Sequence, residues 1–210
     1  MVVSAGSDRC DESREVCNDE RDDGMRVIAG SRRSIPLKTV EGRDVRPTTD
    51  RIKETLFNMI SSSIPGTRVL DLFSGSGQIG IEALSRGSEY AVFVDNSRKA
   101  VSVIKENLKK TRFEEQARVI CRTITVDGSW LQDSGAFDII FIDPPYGMPD
   151  QDQLLRQIAR QQLLAKHGLL IIEADRDTNF EAERVKPLKC VREKVYKTNK
   201  HVFFSYGGWE

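Results

Sequence analysis

The chain is short of the residues that build metal sites and disulfide scaffolds. Its 210 residues include four cysteines, Cys10, Cys17, Cys121 and Cys190, and two histidines, His167 and His201. The cysteines lack metal-ligand spacing and read as free thiols of a reducing compartment. The histidines are expected at the surface or in turns, so no metal is expected. No apolar run approaches the roughly 20 residues that span a bilayer, and the N-terminus has no continuous apolar core of the kind a signal peptide needs. These features predict a cytoplasmic protein without a membrane partner. Net charge is also lacking, at +0 for 32 basic and 32 acidic residues.

The charge that is present is unevenly placed. Residues 1–24 carry eight acids against three arginines and show no hydrophobic period, which predicts a disordered acidic tail. Residues 26–53 hold eight basic groups against three acids, and residues 184–200 hold seven against one. Two basic segments flanking a central domain suit an anionic polymer, although solvated surface charge would look the same. Within the first segment, Arg26–Gly30 and Leu37–Val40 read as short strands around a turn bearing Arg32 and Arg33. Thr48 or Thr49 then caps a helix containing Ile52, Leu56, Met59 and Ile60, with Asp50 in its first turn. Residues 25–64 are therefore expected to form a small basic hairpin-and-helix appendage, and 65–210 the main domain.

From Arg68 onward strand and helix patterns alternate. Strands are predicted from Arg68 up to the glycine turn and at Tyr90–Asp95, Arg118–Cys121, Ile139–Ile142 and Leu169–Glu173. Helices are predicted after the glycine turn, around Ala100, Ile104 and Leu108, and around Leu154, Ile158 and Leu163, the last stopped by Gly168. Asp127-Gly128 reads as a turn. Val191–Tyr196 and His201–Tyr206 read as a closing hairpin. The alternation predicts an α/β fold, Rossmann-like, with a mostly parallel sheet covered on both faces and a C-terminal antiparallel hairpin.

Two motifs carry chemistry. The first is Asp71-Leu-Phe73-Ser-Gly75-Ser-Gly77-Gln-Ile-Gly80, followed by Asp95 at the end of the next strand. Its glycines fit the dinucleotide pattern G-x-G-x-x-G, and an acid after the second strand can hold ribose hydroxyls, so a nicotinamide dinucleotide and S-adenosylmethionine both enter consideration. Asp71 tilts the choice. A carboxylate at that strand end would repel a pyrophosphate but suits the cationic amino and sulfonium groups of S-adenosylmethionine. The second motif is Asp143-Pro144-Pro145-Tyr146, at the carboxyl end of a buried strand, where open α/β sheets place ligands. The prolines stiffen the turn and offer no N–H. The Asp143 carboxylate and Pro144 carbonyl can accept both hydrogens of an exocyclic amine, and Tyr146 offers a face for stacking. Holding those hydrogens localises the nitrogen lone pair for in-line attack on an activated methyl group. A rigid turn without a ligand would also explain the prolines.

Val69-Leu-Asp-Leu-Phe-Ser-Gly-Ser-Gly77, Ile81-Glu-Ala-Leu-Ser-Arg-Gly87, Phe93-Val-Asp95 and Asp143-Pro-Pro-Tyr146 resemble the RsmD-type 16S rRNA guanine-N2 methyltransferases. Met25–Gly30 and Arg46-Pro-Thr-Thr-Asp-Arg-Ile-Lys-Glu-Thr-Leu-Phe-Asn58 resemble that family's own N-terminal hairpin and helix and are the more specific part. The resemblance covers roughly residues 25–206. It implies a class I methyltransferase fold, S-adenosylmethionine as donor, and a guanine of 16S rRNA as target, in the free RNA or in an assembling small ribosomal subunit. It further implies that Asp71, Phe73, Gly75 and Gly77 line the methionine end, Asp95 holds the ribose, and Asn96 or Ser97 sits beside the adenine. Asp143, Pro144 and Tyr146 would hold the base, with Arg32, Arg33, Arg46 and Arg51 on the RNA. Two departures stand out. The hairpin turn, Arg33-Ser-Ile-Pro36, is one basic residue short of the family's, and the acidic tail is not typical. A DNA or other RNA amino methyltransferase acting on adenine N6 or cytosine N4, and a non-catalytic RNA-binding assembly factor, remain the competing readings.

Overall fold

The computed structural model describes residues 25–40, 50–125, 135–145 and 147–207. The acidic tail, the Thr48/Thr49 cap, Arg46, the Asp127-Gly128 turn and Tyr146 lie outside the described residues. After residues 25–40 the elements are α1 (Asp50–Met59), β1 (Arg68–Leu72), α2 (Gln78–Ser85), β2 (Tyr90–Asp95), α3 (Arg98–Thr111) and β3 (Ala117–Cys121). They continue with β4 (Phe137–Ile142), α4 (Gln151–Arg160), β5 (Leu164–Asp175), the short α5 (Ala182–Val185), β6 (Lys189–Val195) and β7 (Asn199–Ser205). One seven-stranded sheet runs in the order β3-β2-β1-β4-β5-β7-β6. β7 is antiparallel to β5 and β6, and the other pairings are parallel. The expected class I methyltransferase architecture, closing hairpin included, is the one observed.

The strand patterns explain the sheet. In β1, β2 and β4 almost every position is buried, as expected for parallel strands covered on both faces. Leu70, Leu72, Ile140, Ile142, Ile172 and Phe204 fill one face with α4. Val69, Phe93, Phe141, Ile171 and Phe203 fill the other, with α1 and α2. Each fully buried side chain of this size contributes about 1.5–3 kcal/mol. Among the described residues no helix is long and apolar enough to cross a membrane.

Several local expectations are corrected. α4 ends at Arg160 and leaves Leu163 in the following turn. Gly168 does not stop a helix, because it lies inside β5, whose pairing with β4 shifts between Phe137 and Ile139. A Cβ at Gly168 would approach the Asp138 carbonyl oxygen to 2.9 Å, so the irregular crossing needs a residue without one. The N-terminal hairpin is narrower than two strands. It has one bridge, Arg26 to Pro36, supported by Val27 N–H donating to Ile35 O and Leu37 N–H to Met25 O. His167 is exposed, but His201 is only 3% exposed and belongs to β7. Cys121 and Cys190 are exposed free thiols.

Residues 25–40 and 50–64 pack into the core of the sheet. Val27, Leu37, Leu56, Phe57, Ile60 and Ile64 share one apolar cluster with β1, β2, β4 and β7, and the Phe57 ring lies 5.7 Å from that of Phe141. Buried polar groups fix the docking. Glu82 on α2 is fully buried and accepts from Ile28 N–H (2.7 Å), Ala29 N–H (3.0 Å) and Arg86 Nε (2.7 Å). Lys53 on α1, also fully buried, donates to Arg26 O at 2.7 Å. Burial lowers the Lys53 pKa, against the opposing pull of Glu82 and Asp50. Glu82→Ala would leave two backbone donors and a guanidinium without their carboxylate. It is expected to cost roughly 3–5 kcal/mol in urea denaturation, and an unchanged midpoint would contradict this account of the docking.

Candidate active site

Strand order reverses between β1 and β4, and ligands of open α/β sheets bind beyond the carboxyl ends at such a point. Both chemical motifs sit there. β1 delivers Asp71 and the glycine loop, and β4 delivers Asp143. Leu72 pairs with Ile142, and Asp143 N–H donates to Leu72 O at 3.3 Å, so the two motifs are held side by side.

The glycine loop turns on left-handed backbone at Phe73 (φ 59°), Gly75 (φ 56°) and Gly77 (φ 78°). A positive φ at an aromatic residue is strained, and such strain collects at ligand sites. Gly77 caps α2, whose first N–H groups face the loop. At Gly80 a Cβ would lie 2.3 Å from the Phe93 ring, so only glycine lets α2 lie this close to β2. Ser74, which the sequence reading did not single out, pins the loop to β2: its hydroxyl donates to Asp71 O at 2.6 Å and accepts from Val94 N–H at 3.0 Å. Asn107 is a second such residue. It donates to Ser76 O (2.9 Å) and Lys38 O (3.0 Å) and accepts from Lys38 N–H (2.8 Å), tying the N-terminal segment to the loop. A polar residue on the buried side of α3 was the available signal.

The two acids of the loop differ. Asp95, 2% exposed, accepts from Gly75 N–H at 2.9 Å and Ser97 N–H at 2.8 Å, which shapes the end of β2. Asp71, also 2% exposed, accepts from Gly80 N–H at 2.9 Å. Burial, and more weakly the neighbouring Asp95, push the Asp71 pKa up to about 7, against the Gly80 hydrogen bond. A buried carboxylate of this kind favours a cationic ligand, which would hold it ionised. Asn96 is exposed at the end of β2, with its backbone carbonyl accepting from the Cys121 thiol.

Asp143 is exposed and Pro144 half-buried. They form one wall of an open groove continued by Pro145, Gln151, Glu173 and Asp175. Of the four arginines expected on RNA, Arg51 is exposed in the first turn of α1, and Arg46 lies outside the described residues. Arg32 and Arg33 are not brought to the groove. Their turn packs on the carboxyl end of α2, where Ser31 N–H donates to Ser85 O at 2.7 Å. α2 returns antiparallel to β1, so this end lies about 12 Å, one eight-residue helix, from the catalytic edge. Arg32 is also occupied. Its Nε donates to Thr111 O at 2.7 Å, and its guanidinium lies 5.4 Å from the Phe113 ring centroid. Arg33 is exposed.

The family model described as conserved hypothetical protein 95 matches residues 25–205. The chain belongs to this family, the RsmD family. YlbH of Bacillus subtilis is 41% identical over 174 residues, which covers 82% of this chain and 94% of YlbH. Ribosomal RNA small subunit methyltransferase D of Haemophilus influenzae is 33% identical over 154 residues, 73% of this chain and 80% of its own. Among solved structures, yhhF from Escherichia coli superposes with a TM-score of 0.72 at 30% identity, covering 85% of this chain and 96% of that one. In RsmD-family terms, the matched span takes in the glycine loop, Asp143 and the N-terminal hairpin, and leaves the acidic tail outside.

A carboxyl whose folded pKa is raised binds its proton more tightly folded than unfolded. The contribution of Asp71 to stability is therefore present at low pH and is lost as pH rises from the unfolded value of about 4 through about 7. Asp71→Asn removes this dependence. Between about pH 5.5 and about pH 8 the variant is expected to gain on the order of 2 kcal/mol relative to wild type in urea denaturation of the ligand-free protein. A constant difference across that range would contradict a raised Asp71.

Proposed function

We propose that this protein transfers the methyl group of S-adenosylmethionine to the exocyclic N2 of a guanine in small-subunit rRNA. The observation that carries the reading is the pairing of two strand ends. Asp143, with an amine-holding turn behind it, is hydrogen-bonded to the strand that ends in Asp71 and the glycine loop. Membership in the RsmD family and the likeness to ribosomal RNA small subunit methyltransferase D of Haemophilus influenzae support the ribosomal substrate.

The residues present fit S-adenosylmethionine. Asp71 would face its cationic end, the loop from Phe73 to Gly77 would pack along it, Asp95 would meet the ribose and Asn96 the adenine. The bound cofactor supplies a methyl group activated by a sulfonium. The protein holds the other reactant. The Asp143 carboxylate and Pro144 carbonyl accept the two N2 hydrogens, and Tyr146 stacks on the base. The lone pair of N2 would thereby be directed outward toward that methyl group, and Asp143 would pass the proton lost from N2 to solvent. Reaching this turn requires an unpaired or flipped base. Arg51, in the first turn of α1, and Arg46, which precedes it in the chain, would contact phosphates near the site, and Arg33 a more distant part of the RNA.

The test is transfer of labelled methyl from S-adenosylmethionine to unmodified small subunits and to free 16S rRNA, with nucleoside analysis. N2-methylguanosine is the expected product; label on adenine or cytosine would remove the guanine reading, and none on either substrate would remove the rRNA reading. Asp143→Ala is expected to lower the rate at least about a thousandfold while S-adenosylmethionine still binds in calorimetry. In the same titrations wild-type affinity should weaken as pH falls below about 7, where Asp71 takes up its proton, and Asp71→Asn should flatten that slope.

A further inference from the structure

Beside Asp143, the neighbouring strand presents a second carboxylate that is oriented rather than merely exposed. Ile142 pairs with Ile172, so the next residues, Asp143 and Glu173, adjoin across a strand spacing of about 4.8 Å. Both line the groove. The Glu173 side chain is 17% exposed. Its Oε1 accepts from Asn199 Nδ2, and its Oε2 lies 3.4 Å from His201 Nε2. The other ring nitrogen of His201 meets the Tyr196 hydroxyl at 3.2 Å. Burial, with Glu173 nearby, pushes the Tyr196 pKa up to about 12, so the hydroxyl keeps its proton. With that hydroxyl donating to Nδ1, Nε2 carries the imidazole proton and donates to Glu173. The closing hairpin thus aims donors at this carboxylate from behind. A carboxylate has about four acceptor positions, so being held in this way is compatible with taking a further donor from the groove.

The groove is rich in acceptors. Besides Asp143 and Glu173 it contains Asp175 and Gln151, whose Oε1 is buried without a hydrogen-bond partner among the described residues. Exocyclic amines of bases differ in what lies next to them on the ring. Adenine N6 and cytosine N4 adjoin a ring nitrogen that is an acceptor, which a carboxylate would repel. Guanine N2 adjoins N1–H, a donor. Enzymes that act on a flipped base read this edge by hydrogen bonds.

We propose that Glu173 selects guanine by accepting its N1–H, next to the N2 amine held by Asp143 and Pro144. This rests on the guanine-N2 reading above and adds to it the residue that makes the choice. Asn199 and His201 are positioning residues, holding the carboxylate toward the groove.

The test uses the full chain and small-subunit RNA in which the target guanine is replaced by 2-aminopurine, which keeps the N2 amine but has no N1–H. Wild type is expected to favour guanine by at least about a hundredfold in kcat/KM, since an unmet buried acceptor discriminates strongly. Glu173→Gln has an amide that can donate to the bare N1 of 2-aminopurine, and it should narrow that preference at least about tenfold. A merely structural Glu173 would slow both substrates alike and leave their ratio unchanged, which overturns the proposal. If Glu173→Gln does not fold, wild type alone decides, because equal kcat/KM on the two bases overturns it too. Wild-type label on adenine N6 or cytosine N4 would instead defeat the guanine reading itself, and the role of Glu173 with it.

Discussion

The parallel pairing of β1 with β4 is the constraint on which the rest depends. The two strands lie about 70 residues apart in the chain yet are neighbours at the centre of the sheet. Everything between them, α2 through β3, is laid out on one side, and everything after β4 on the other. The crevice opens where the order reverses, so Asp71 and Asp143 meet there without any direct attraction between two acids. Burial holds the register. Leu70, Leu72, Ile140 and Ile142 are at most 2% exposed, and a one-residue slip would turn these side chains and Asp71 to the wrong faces.

Buried charge serves two opposite purposes in this molecule. Glu82 is surrounded by donors, two backbone N–H groups and the Arg86 guanidinium, and so is satisfied by the protein itself. It is a fastening, and it makes the N-terminal segment part of the core. Asp71, at the end of β1, accepts from the Gly80 N–H and has a second carboxylate, Asp95, nearby. The protein raises its pKa instead of satisfying it, which leaves a carboxylate that gains from a cation. The same residue chemistry is structural in one place and ligand-directed in the other because of the number of donors provided.

The closing hairpin has a comparable double role. It extends the sheet by antiparallel pairing with β5, and the same register places His201 opposite Glu173. Ring, amide and carboxylate are then packed at the carboxyl end of β5, beside the turn that follows β4. A hairpin that looks like a device for ending the sheet also furnishes the back wall of the groove.

Much of the site could be read along the chain, because its parts are local. Strand, glycine turn and helix follow one another within residues 68–85, and Asp143 directly follows an apolar strand; backbone freedom and hydrogen-bonding capacity are properties of such short stretches. The alternation of strand and helix likewise determined a mostly parallel sheet with a terminal hairpin. The structure alone decided what depends on partners distant in sequence. His201 reads as a surface residue until β7 pairs with β5 and buries it. Arg32 reads along the chain only as a basic turn residue, and its partners Thr111 and Phe113, about 80 residues on, are visible only in the fold. Glu173 has no motif at all and gains meaning only as the neighbour of Asp143. Hydrophobic periodicity states which face of an element is buried, but not against what. That choice is made by long-range strand pairing and packing, which no local stretch encodes.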